Sequence, residues 1–261
     1  MKKFFYYALS LTLFAFFLFG CGSLNNQKKL VVGIDEEYAP MGFRNEQGEL
    51  VGFDIDLAKE TAKRMDVAIE FKPINWDNKI VELKTGNIDM IWNGLDITPE
   101  RKKDILYSKP YLDNQQILSI RADGNLKIKS RKDLAGKIVG TQAGSTSETY
   151  IIRNEILQNS FAAFKVYDTF KTAFEALESG AIDVLICDEI VLRYEISKNP
   201  NKFKIIDMTI GDATEFGIGF RKNDIALRDR VQTAFDEIVA DGTARKISEK
   251  WFGANLIKSN K

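Results

Sequence analysis

Short apolar runs alternate with amphipathic stretches along most of this chain, and the two periods mark out its elements. Leu30 to Ile34, Ala68 to Pro73, Ile88 to Trp92, Lys137 to Gly140, Phe164 to Tyr167 and residues 181–187 have the length and composition of buried strands. Between them apolar residues recur at helical spacing. One such stretch runs from Asp54 to about Met65, with Ile55, Leu57, Ala58 and Ala62 available for burial. Others cover residues 148–158, 169–179 and Leu227 to Phe252, the last ending at Gly253. Phe43 to Gly48 reads as a hairpin turning at Asn45-Glu46-Gln47-Gly48, and Gln115 to Arg121 and Phe216 to Phe220 read as further strands. Strand and helix in alternation predict an α/β fold of mostly parallel sheets flanked by helices.

The sharpest junction is the stretch from Ile88 to Arg101. After the apolar run, polar residues take over at Asn93, and Thr98-Pro99-Glu100 has the order of an N-cap, a first helical position and a first turn. A strand, loop and helix start in this order present free backbone N–H groups, and Arg101 adds a planar guanidinium able to grip a carboxylate through two hydrogen bonds. Asp96 on the same loop offers the opposite charge. A carboxylate clamp beside a carboxylate acceptor suits the head of a free α-amino acid, although within this stretch Arg101 and Asp96 could equally pair with each other on the surface.

The unit recurs. Leu83-Lys84-Thr85-Gly86-Asn87-Ile88-Asp89-Met90-Ile91-Trp92 aligns without a gap on Leu177-Glu178-Ser179-Gly180-Ala181-Ile182-Asp183-Val184-Leu185-Ile186. Each copy is a helix end, a Gly turn and a buried strand. The second copy runs through Cys187 into Asp188 and Glu189, so both deliver an acid just past a strand's carboxyl end, where α/β sheets bind ligands. Two facing lobes are the natural inference.

Composition narrows the chemistry. The 261 residues carry 37 basic and 37 acidic side chains, which argues against a nucleic-acid surface. Histidine is absent, which excludes histidine acid–base catalysis and the usual zinc sites. No cofactor or metal is expected. At the N-terminus, Lys2 and Lys3 precede a nearly unbroken apolar run from Phe4 to Phe19, and Gly20 precedes Cys21. This is the pattern of a targeting segment over residues 1–21. Leu18-Phe19-Gly20-Cys21 fits a lipoprotein signal apart from bulky Phe19, with Cys21 as the lipidated residue and 22–28 as a flexible tether; an uncleaved N-terminal anchor is the alternative. Both place the body outside the cytoplasm, held at the membrane. Cys187, left without a partner, reads as a packing residue.

Five ordered motifs carry a resemblance. They are Val32-Gly33-Ile34-Asp35-Glu36-Glu37-Tyr38-Ala39-Pro40, Gly52-Phe53-Asp54-Ile55-Asp56-Leu57-Ala58, Asn93 to Arg101, Gly140-Thr141-Gln142-Ala143-Gly144-Ser145-Thr146-Ser147, and Asp241-Gly242-Thr243 followed by Trp251-Phe252-Gly253. Together they resemble the extracellular solute-binding proteins for polar amino acids, the capture subunits of ABC importers. The resemblance implies a two-lobed, Venus-flytrap fold with two crossing strands, lobe 1 being 29–114 with 217–261 and lobe 2 being 115–216.

It also implies a site. Asp35 and Tyr38 would line the side-chain end of the pocket, and Trp76 would form an aromatic wall. Arg101 and the backbone and hydroxyls around Thr146 and Ser147 would hold the α-carboxylate. The helix start behind that second grip is read from the capping-box spacing of Ser145 and Glu148. Asp96 and Asp188 would bind the ammonium, their charge offset by ligand and backbone donors. Asn93, Gly94 and Gln142 complete the expected lining. With no second Arg or Lys among these residues, polar neutral or cationic amino acids are favoured: glutamine, arginine, lysine, histidine or cystine. The partners implied are an ABC permease and the membrane, and the protein is expected to act as a monomer without catalysis. Two other classes fit the same architecture. A dehydratase acting on a cyclic carboxylate would need an acid–base pair, for which Asp35, Glu36 and Glu37 are the only unusual acids, and a sensor would report ligand to a membrane partner.

Overall fold

The computed structural model describes residues 29–258, so the targeting segment expected over 1–21, the tether expected over 22–28 and Cys21 lie outside the described residues. The chain opens with β1 (Leu30–Ile34), followed by a small antiparallel sheet of β2 (Glu37–Tyr38), β3 (Gly42–Arg44) and β4 (Leu50–Val51). Next come α1 (Phe53–Arg64), β5 (Ile69–Pro73), α2 (Lys79–Lys84), β6 (Met90–Ile91) and β7 (Ile105–Tyr107). β8 (Leu112–Arg121) leads to β9 (Ile138–Gln142), α3 (Thr146–Arg153), α4 (Glu155–Ser160), β10 (Ala163–Tyr167), α5 (Phe170–Ser179), β11 (Val184–Asp188), α6 (Glu189–Lys198) and the long β12 (Phe203–Phe216). β13 (Gly219–Arg221), α7 (Ile225–Ala240) and α8 (Thr243–Phe252) complete the chain.

Among the described residues two five-stranded sheets form, ordered β5-β1-β6-β13-β7 and β10-β9-β11-β8-β12. Each has three neighbouring parallel strands, extended by two antiparallel pairings in which only β13 or β8 runs against the rest. The fold is therefore α/β and two-lobed. α7 and α8 return to the first sheet, where Trp92, Tyr111, Phe216 and Phe235 form one buried aromatic cluster and Phe53 meets Phe252 at 4.8 Å.

The internal repeat has a shared packing logic. Gly86 and Gly180 close their helices at φ of 80° and 78°, a conformation open to glycine at little cost. Asp89 then accepts the amide of Val31 and Asp183 that of Ile138, at 3.0 and 2.8 Å, so each aspartate ties its turn to the neighbouring strand. Ile88 and Ile182 fill the space that a Cβ on Gly33 or Gly140 would need, at 2.5 and 2.6 Å.

Several elements differ from the sequence reading. The helix expected over 148–158 is two helices, because Asn154 leaves helical geometry (φ −104°, ψ 72°) and its side chain caps α4 through the amide of Leu157. The C-terminal helical stretch also breaks, at Asp241 and Gly242. β12 was not expected at all before Phe216. Its two register shifts, between Ile206 and Thr209 and between Ile210 and Thr214, destroy the alternation that would have marked it.

Candidate ligand-binding site

Two acids meet at the hinge. Asp188 ends β11, whose residues are all buried, and Asp96 follows β6 in a segment that forms an isolated bridge with Phe216 at the end of β12. Asp96 accepts hydrogen bonds from Asn114 Nδ2 (2.9 Å), Thr214 Oγ1 (2.5 Å) and Thr146 Oγ1 (2.5 Å). Asp188 accepts from Tyr38 Oη (2.6 Å), Gln116 Nε2 (2.5 Å) and the same Asn114 amide (2.5 Å). One Asn on β8 thus holds two carboxylates, one following a strand of the first sheet and one ending a strand of the second. The expected backbone donors are replaced by side chains: although Asp188 is the N-cap residue of α6, its carboxylate makes no cap hydrogen bond and turns to Tyr38, Asn114 and Gln116. Burial, followed by the charge of Asp96, pushes the Asp188 carboxyl up to about 6. Burial and Asp188 together raise the Tyr38 phenol well above its ordinary range.

Aromatic rings enclose the space in front of these acids. Tyr38 stacks at 12° to Trp76 with centroids 6.5 Å apart, and Phe170, the first residue of α5, lies 6.0 Å from Tyr38. Gly94 (φ 60°) passes so close that a Cβ there would lie 2.5 Å from Tyr38 Cε1. Tyr38, Trp76, Gly94, Asp96, Arg101, Gln142, Ser145, Thr146, Phe170 and Asp188 close tightly around a cavity of only about 10 Å³.

Arg101 does not follow an α-helix start. Thr98 does accept the Arg101 amide on its side chain (3.2 Å) and the Lys102 amide on its carbonyl (2.9 Å), but the turn is a three-residue 3-10 helix, Arg101–Lys103. A turn this short gathers little dipole, so the cation here is the guanidinium itself. Its Nη1 donates to Asp96 O (3.2 Å) and its Nη2 crosses to Gly144 O (2.9 Å). Opposite, Ser145 caps α3 by accepting the Glu148 amide (3.0 Å), while Glu148 accepts from Gly144 N (2.6 Å) instead of Ser145 N. The capping-box spacing therefore delivers one reciprocal bond of two.

Three expected lining residues stand behind the cavity. Asn93 accepts the Asp35 amide (2.9 Å), and Ser147 donates to Gln116. The Asp35 carboxylate accepts from Gln142 Nε2 (2.7 Å) and the Glu37 amide (2.9 Å), and burial raises its pKa. The amide of Gly94 is likewise engaged, by Asp54 Oδ2 at 2.7 Å.

The sequence pattern of the bacterial extracellular solute-binding proteins, family 3, matches residues 30–254. The chain belongs to this family. It is 31% identical over 240 residues to the L-cystine-binding protein TcyJ of Escherichia coli K12, covering 91% of this chain and 88% of that protein. It is 33% identical to the ABC transporter arginine-binding protein 1 of the same organism, with 92% and 96% covered. A solved ABC uptake transporter substrate-binding protein from Streptococcus pneumoniae, with bound histidine, superposes with a TM-score of 0.83 at 34% identity, covering 88% of this chain and 95% of that one.

In this family 3 solute-binding protein the residues that position the acids were the least visible beforehand. Asn114 and Gln116 are buried polar side chains two apart on one strand face, a spacing that also describes an exposed face. Phe170 looks like ordinary helix core. Lys79 looks like helix surface, yet it is 3% exposed, and its Nζ lies beside the Arg101 clamp. A second basic side chain therefore stands near the site after all, outside the cavity lining.

Proposed function

We propose that this protein captures a polar neutral or cationic L-amino acid between two closing lobes and delivers it to the permease of an ABC importer. The observation that carries the reading is the pair Asp96 and Asp188, brought from opposite lobes onto one Asn114 amide beside the Arg101 guanidinium. A zwitterion matches this arrangement, with its ammonium between the acids and its carboxylate taking the place of the Gly144 carbonyl on Arg101. Closure is stabilised by contacts made in both lobes at once. With Asp96 and Asp188 assigned to the ammonium and Asp35 held behind the cavity by Gln142 and the Glu37 amide, both cationic and neutral polar side chains remain: arginine, histidine, lysine, glutamine and cystine. The names of the arginine- and cystine-binding relatives and of the histidine complex support this range.

Binding needs no catalytic group, so the protein is not an enzyme. Residues 29–114 with 217–261 form lobe 1 and 115–216 form lobe 2. A lipid on Cys21 holds the monomeric body at the outer face of the membrane, where the closed lobes meet the permease. Thermal shift of the full-length protein against the free L-amino acids and cystine tests the reading, because a ligand that binds the native state raises the melting temperature. A clear shift with one or two of them, lost in Arg101→Ala, is expected; no shift with any refutes it.

A further inference from the structure

Lys79 is enclosed in a way that ligand contact does not explain. From the first turn of α2 its Nζ donates to Trp76 O (2.9 Å) in its own lobe and to Gly144 O (2.8 Å) in the other. The same Gly144 carbonyl accepts from Arg101. Two basic side chains of one lobe thus converge on a single peptide of the loop that leads into α3. Both acceptors of Lys79 are neutral carbonyls, and its Nζ also stands 5.0 Å over the Trp76 ring. The charged groups facing it are Asp77 from its own side, Arg101 and Asp96 from the loop after β6, and Glu148 from α3. The acids among the last three are already engaged, Glu148 by Gly144 N and Asp96 by Asn114, Thr146 and Thr214.

We propose that Lys79 is a closure latch: as the lobes meet it grips the Gly144 peptide, holds the start of α3 across the cleft while Arg101 turns to the ligand, and sheds one proton to solvent, so that capture of a ligand releases a proton. This rests on the reading of the protein as one that binds by closing. A neutral amine has two N–H donors, and two carbonyls receive them. An ammonium in the same place would keep a third donor and a full charge out of water. Burial first, and the Arg101 guanidinium second, depress the Lys79 pKa well below the lysine range. With Gly144 withdrawn, water reaches Nζ and the ordinary value near about 10.4 returns.

The sign follows. The group is depressed in the closed form, so its charged state opposes closing, and that opposition fades as pH rises from the closed-form pKa towards the open-form one. Across that window affinity gains up to about tenfold per pH unit, while below it the contribution is constant.

Isothermal titration of full-length wild type and Lys79→Met with L-arginine, L-histidine and L-cystine, in buffers of differing ionisation enthalpy from neutral to alkaline pH, reads both proton release and slope. The ligand's own ammonium titrates identically in both proteins, so the difference belongs to Lys79. Wild type is expected to release up to about one proton more per ligand and to gain affinity with pH more steeply. Equal release and equal slope overturn the proposal. Small-angle scattering of the ligand-free proteins keeps the two readings apart. If no amino acid binds wild type the amino-acid assignment fails, whereas a compaction with rising pH that is present in wild type and absent in Lys79→Met still supports the latch, and its absence refutes it.

Discussion

Asp188→Asn tests the ammonium site most directly, and its cost can be worked from the geometry. The Asp188 carboxylate receives three donors, from Tyr38, Gln116 and Asn114. An amide in its place turns one acceptor into a donor facing donors, which leaves a buried group unpaired at about 1–3 kcal/mol. It also removes a charged partner of the ligand ammonium, worth about 1.5–3 kcal/mol. The first cost is carried with and without ligand and lowers stability, whereas the second enters binding and weakens it by roughly one to two orders of magnitude. The pH profile gives an independent reading. Because the Asp188 carboxyl stands at about 6 without ligand, an ammonium must displace a proton below that pH, and affinity should fall about tenfold between about pH 7 and pH 5. The contribution to unliganded stability has the opposite sign, since a raised carboxyl pKa stabilises the protonated protein and that gain is lost as pH rises through about 6. Calorimetric titration of wild type and Asp188→Asn over this range decides the matter. A wild-type affinity flat across it, or a variant within about threefold of wild type, would refute the ammonium site.

Other outcomes follow from the same contacts. Gly94→Ala must both adopt φ 60° and push a Cβ to within 2.5 Å of the Tyr38 ring, so it should cost about 1–3 kcal/mol in urea unfolding and displace Tyr38 from the cavity, seen as weaker binding. Asp54 is fully enclosed, accepts from Gly94 N and Tyr111 Oη, and is raised by burial from 3.8 to about 7. Its unfavourable charging should make wild type lose about 2–3 kcal/mol between about pH 5 and pH 8 relative to Asp54→Asn, as read by urea unfolding at each pH. Arg153→Ala breaks only an ion pair with Glu100 whose side chains are partly exposed, and should change the melting temperature by less than about 1 kcal/mol equivalent.

The parallel strands and their following helices were legible because a strand buried on both faces leaves an apolar run, and Gly86 and Gly180 punctuate the repeat visibly. The acids past the carboxyl ends of β6 and β11 were legible for the same reason. What holds them was not. Asn114 and Gln116 acquire meaning only when β8 is flanked by β11 and β12, and nothing local signals those neighbours. Thr98, Pro99 and Glu100 carry a real capping signal, but the chain leaves the turn at Asp104 to form β7, so tertiary pairing overrides the helix start. Lys79 shows the same limit from the other side, since its burial depends on Gly144, a residue from the facing lobe.

The insertion of β13 between β6 and β7 bears on how the chain acquires its shape. β6 and β7 belong to the first half of the sequence, yet neither pairs with the other, and each waits for a strand made after the whole second sheet. The second sheet can be completed from one uninterrupted segment. The first stays open along a slot with two unpaired edges until Gly219–Arg221 arrive, which loads its formation with more loop-closure entropy than that of the second. A nascent chain halted before that point would expose those edges to other chains, whereas one halted after it could already close the slot.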